Sequence, residues 1–181
     1  MSKEAYIYKK VNGTEAYLAG IVEVYTERCL QEALKKIPGY GFGYSLTSDV
    51  FGLGEDNELT IQQAIRKRID EKCFDLLFDK EEPTKEQIEM MISGLEITKM
   101  NVSIEDAVKE LIKVASENAD YISDDILEYC RDLEWYLGKP INVYNVRDRN
   151  DLFTAYEYLV FGTIFIEYEE FAVMLNIGTS D

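Results

Sequence analysis

Apolar residues recur through the middle of the chain at helical spacing, while the last forty residues are apolar with little alternation. Leu18, Ile21, Val22, Tyr25, Cys29, Ala33 and Ile37 form one stripe close to the helical period, predicting a helix over 15–37 that Thr14 caps. The rival reading is a hairpin through Asn12-Gly13 with IVEVY as a strand; the helix is preferred. Four further stripes each follow a start signal. Thr60-x-x-Gln63 is a capping box ahead of Ile61, Ile65, Ile69, Cys73, Leu76 and Leu77. Thr84-x-x-Gln87 opens Ile88, Met91, Ile92 and Leu95, and Ser103-x-x-Asp106 opens Ile104, Val108, Leu111, Ile112 and Ala115. Ser123 caps the last stripe, Ile126, Cys130, Leu133 and Leu137, which stops at Gly138 with Pro140 beyond it.

Strand signals lie at the two ends. Residues 5–11 and 141–146 read as short strands. YLVFGTIFIEY and FAVMLNIG read as two longer strands around a tight turn at Glu169-Glu170. Phe161, Ile164, Phe165 and Ile166 occupy both faces of one strand, and Val173, Met174 and Leu175 both faces of the other, so each face needs cover. Helices suit one side; the other requires more of the chain or a second molecule. Between Pro38 and Asn57 five glycines break any period, and this stretch reads as an irregular loop. The expected architecture is α+β: a helical body of about five helices with a small antiparallel sheet built mainly from the C-terminal strands, in one domain over 1–181.

Composition narrows the function. Nineteen basic against thirty-five acidic residues give a formal charge of -16, which repels phosphate backbones and anionic headgroups; neither nucleic acid nor membrane is an expected partner. No stretch approaches the roughly 20 apolar residues of a membrane span. The opening MSKEAYIYKK has charge on both sides of a short apolar patch and no long apolar core, so a cytoplasmic location is expected. The three cysteines, Cys29, Cys73 and Cys130, are odd in number and widely spaced, and read as small buried hydrophobes.

The chain has no histidine, which removes the usual general base and the commonest zinc ligand. Gly39-Tyr40-Gly41-Phe42-Gly43 follows a helix and has no cation beside it, so a loop is preferred over a phosphate cradle. Asp49, Glu55, Asp56 and Glu58 lack the ligand spacing of a calcium loop. Arg66-Lys67-Arg68 with Lys72 sits off its apolar stripe among acids, as an exposed face does. No catalytic residue, metal ligand or cofactor is expected, and enzymatic activity is disfavoured.

Charge concentrates instead toward the C-terminus. After Ser116, fourteen acids face four bases, so ten of the sixteen net negative charges lie in the last 65 residues. Asp124, Glu128 and Asp132 recur every fourth residue on one helix face, at roughly 0.2–0.5 kcal/mol of repulsion per pair. Trp135, the sole tryptophan, projects on that side, with Tyr129 and Tyr136 flanking it. A tryptophan there is either covered by another part of the chain or a contact residue, and tryptophan and tyrosine are common interface anchors. Asp124, Glu128, Asp132, Trp135 and Tyr136 are therefore the candidate partner-binding residues. The expected function is a small acidic protein-binding inhibitor of immunity-protein or antitoxin type, neutralising a basic protein partner such as a nuclease toxin. The alternatives are a phage anti-defence or nucleic-acid-mimic protein, a carboxylate-based enzyme, and a homo-oligomeric structural subunit, a homodimer through the C-terminal strands.

Overall fold

A computed structural model describes residues 14–39, 44–53, 59–67, 84–148 and 158–180. Helix α1 runs in three continuous pieces: α-helical Thr14–Tyr25, a π turn Thr26–Leu30, and α-helical Gln31–Leu34. Its buried positions include Leu18, Val22, Thr26, Leu30 and Leu34, a repeat of four, with Ala33 beside the last. In an unbroken α-helix each step of four overshoots the turn by about 40°, so the stripe would drift around the axis. The π turn takes one more residue per turn and resets that drift. Thr26 and Leu30 thereby replace Tyr25 and Cys29 on the inner line. Cys29 is exposed, not a buried hydrophobe as expected; Cys130 is buried.

Helices α2 (Lys85–Gly94), α3 (Ile104–Lys113) and α4 (Ser123–Leu137) follow. Among the described residues four helices are delimited, against about five expected. The predicted helix after Thr60 is helical over 61–67, and its remainder, with Cys73, lies outside the described residues. Its capping box forms: Gln63 Oε1 accepts from Thr60 N at 2.9 Å, and Thr60 Oγ1 from Gln63 N at 3.3 Å. Ser103 caps α3 by accepting from Asp106 N at 3.1 Å. Ser123 does not cap α4; Ile122 is the cap residue, and Ser123 Oγ instead donates to the Asp120 carbonyl of the preceding 3₁₀ turn at 3.0 Å. Gly138 ends α4 at φ 88°, where a side chain would be strained.

Five strands form one antiparallel sheet in the order β1-β5-β4-β3-β2: β1 Tyr44–Gly52, β2 Leu95–Met100, β3 Asn142–Asp148, β4 Tyr158–Glu167 and β5 Phe171–Ser180. Three are C-terminal, as expected, and β4 and β5 turn at Glu169-Glu170, where Tyr168 N donates to Phe171 O at 2.9 Å. Two strands were not anticipated. Residues 44–52, assigned to the glycine-rich loop, are β1; their partner β5 lies far off in sequence, and pairing supplies the order that local pattern lacks. Leu95, placed at a helix end, opens β2 opposite Asp148. The N-terminal strand predicted over 5–11 lies outside the described residues.

Alternation along the strands divides the core in two. Val50, Val143, Ile164, Ile166, Val173 and Leu175 face α1, α3 and α4. Phe51, Tyr144, Phe165 and Ala172 face the opposite way, where Ala64 and Ile65 pack over them. The two-faced apolar strands thus receive part of their second cover from the chain itself.

Candidate functional site

Helix α4 is held by α1, which runs antiparallel alongside it. Thr26 Oγ1 and the Tyr129 hydroxyl lie 3.1 Å apart in a fully buried hydrogen bond. Burial raises the Tyr129 phenol well above its ordinary ionisation range. Tyr25 and Tyr136 pack ring to ring at 5.4 Å, tilted by 42°. A hydrogen bond with Tyr136, then burial, raises the Tyr25 phenol as well. At the other end of the seam Lys36 Nζ meets Asp125 Oδ1 at 2.5 Å. These contacts orient α4 so that Ile126, Tyr129, Cys130, Leu133 and Leu137 point inward.

What remains outward is the predicted ridge. Asp124 and Glu128 are exposed, and Asp132 is partly covered where it borders α1. Trp135 is 72% exposed, and its indole makes no hydrogen bond or ring contact among the described residues. It is therefore not packed under the C-terminal sheet. Tyr129, expected to flank it, points into the core instead, and Tyr136 is half-buried against Tyr25.

Ion pairing separates the ridge from the neighbouring acids. Asp125 pairs with Lys36, Asp120 with Lys109 at 2.5 Å, and Glu134 lies 3.9 Å from Lys139. Lys109 holds the Asp120 carboxyl below the usual carboxylate range, through a hydrogen bond and its charge. Asp124, Glu128 and Asp132 have no cation within ion-pair distance among the described residues. Their field reaches Cys29 on the facing π turn, where partial desolvation beside α4 and then the charges of Asp132 and Glu128 push the thiol up.

No family model, curated protein or solved structure matches this chain. Its function must be read from the ridge itself.

Two exposed apolar residues beside the ridge were not singled out from sequence. Leu127 lies two turns before Trp135 on the same side of α4, and Tyr121, 68% exposed, stands in the 3₁₀ turn that leads into the helix. The signal for Leu127 was present: it falls off the inward stripe of Ile126, Cys130, Leu133 and Leu137.

Elsewhere the polar groups serve the fold. Glu167 Oε2 accepts from Asn142 Nδ2 at 2.6 Å and from the Tyr144 hydroxyl at 3.0 Å, tying β3 to β4. Burial and that carboxylate push the Tyr144 phenol up to about 12. An open cleft of about 590 Å³ lies nearby, between the end of β2, the start of α3 and the start of β3, with Lys99, Ser103, Asp106 and Asn142 among its walls. Among the described residues no group of three carboxylates or cysteines is placed to hold a metal ion. No described helix is long and apolar enough to cross a membrane.

Proposed function

We propose that the protein is a small acidic binding protein that neutralises a basic protein partner, in the manner of an immunity protein or antitoxin, through the outer face of α4. The observation that carries this reading is Trp135: the chain's one tryptophan, 72% exposed, on a face whose three carboxylates lack cations among the described residues. A large aromatic left in water has an unfavourable hydration cost that a partner removes. The carboxylates around it, with no cation among the described residues, attract a positive surface from a distance and orient the encounter, and the desolvated indole then slows dissociation. The ridge from Asp124 to Trp135 spans about 16 Å, long enough to meet several cations on one partner. The net charge of the whole chain, -16 with the ridge included, adds long-range attraction of the same sign.

The test has two stages. The protein is immobilised and used to capture partners from cells of its source, beside a W135A/E128K variant. A basic protein retained by the wild type and lost by the variant is expected. The association rate of that purified protein is then measured by stopped flow. It should fall at least about 10-fold as salt rises from low to high ionic strength. Capture undiminished in the variant, or an association rate indifferent to salt, overturns the reading.

A further inference from the structure

We infer that the partner is anchored by an arginine whose guanidinium lies flat on Trp135 while the neighbouring carboxylates bind its N–H groups. The inference rests on the proposed role of the α4 face as a docking ridge and specifies the chemistry of what docks there. Three features of the face select arginine. The indole is open to water and carries no ring contact among the described residues. Arg131, four residues earlier and on the same side of α4, forms no ion pair and no ring contact among the described residues, so the protein's own guanidinium does not cover it. Asp132 and Glu128, one and two turns before Trp135, have no cation there either.

A guanidinium can use the aromatic face and the carboxylates together. It is planar and weakly hydrated, and it stacks on a ring while its edge presents N–H donors in a fork that matches a carboxylate. An ammonium is a compact and strongly hydrated point charge; it gains the Coulomb attraction but little from the ring. Both cations feel the same field of the ridge, so the acids alone do not tell them apart. The difference between arginine and lysine therefore reports on the indole.

The probes are two labelled peptides of equal length and charge, four arginines or four lysines alternating with glycine and serine, titrated into the full-length protein at low salt with anisotropy as the readout. The arginine peptide is expected to bind at least about 3-fold more tightly, within the range of an exposed cation–ring contact. In W135A that ratio should fall to near one while weak, salt-sensitive binding of both peptides persists. In E128Q/D132N both affinities should drop. Equal affinity of the two peptides for the wild type, or a preference that W135A leaves intact, overturns the arginine anchor and leaves the docking ridge standing. Absence of salt-sensitive binding by either peptide removes both.

Discussion

Inside the α1–α4 seam, the Thr26 and Tyr129 hydroxyls depend on one another, because both residues are fully buried and 103 positions apart in sequence. Removing one partner does not cost the same on each side. Tyr129→Phe leaves a threonine hydroxyl that can turn to the carbonyl one turn earlier in its own helix, so a loss of about 0.5–1.5 kcal/mol is expected. Thr26→Val strands the phenol in apolar surroundings and should cost about 1–3 kcal/mol. The double variant should be less damaged than the two losses added together, since neither orphan remains. Urea unfolding of the three variants measures this. A Thr26→Val protein within about 0.5 kcal/mol of wild type would show that the hydrogen bond is not a stability determinant. No sequence pattern marked Thr26 as buried, because its inward position depends on the π turn.

At the scale of elements, two glycines make opposite predictions. Gly20 stands on the exposed side of α1, and a Cβ there meets nothing within 4 Å. Gly20→Ala should stabilise by about 0.4–1 kcal/mol, through helix propensity and a less flexible unfolded chain. Gly162 lies in β4 beside a register shift, directly beneath α3. A Cβ there would come within 3.0 Å of Leu111 Cδ1 and 3.4 Å of Val114 Cγ2. Gly162→Ala requires the Leu111 and Val114 side chains to give by a few tenths of an ångström in a packed layer, and should cost about 1 kcal/mol. Thermal melts of the pair decide it; a Gly162→Ala protein as stable as Gly20→Ala would mean that Leu111 and Val114 re-pack around the added methyl without loss. The glycine in FGTIF and the helix α3 were both visible in the sequence, but not that the one would lie over the other. The capping residues were more legible. Thr60-Gln63 and Ser103-Asp106 formed as expected because those bonds close within one turn. Ser123 did not cap, since a 3₁₀ turn, Ala119–Ile122, runs directly into α4 and draws its hydroxyl to Asp120.

For the whole molecule, a charge of -16 must be carried by one surface. Ion pairs such as Lys36–Asp125 and Lys109–Asp120 neutralise part of it, but exposed pairs of this kind contribute only about 0.2–1 kcal/mol each. Net repulsion should therefore weaken the folded state at low ionic strength. The melting temperature is expected to rise as sodium chloride increases from about 0.01 M to about 0.5 M, as the screening length shortens from about 30 Å to a few ångströms. A melting temperature that falls across that range would mean attractive pairs dominate the surface. The same screening should weaken partner association, so salt is expected to stabilise the protein while slowing its encounter with a basic partner.

Periodicity and composition by themselves established the α+β class, the inward stripes of α3 and α4, the β4–β5 hairpin and the acidic face on which Trp135 stands. Each of these follows from side-chain spacing within a segment, or from counting charges. Tertiary structure decided what local spacing does not contain. It drew residues 44–52 into the sheet through pairing with β5, and it turned Cys29 outward by inserting a π turn in α1. It left Trp135 in water because the contacts that orient α4 come from α1, on another side of the helix. Pairing, helix register and exposure all depend on residues distant in sequence, and only the folded chain brings those together.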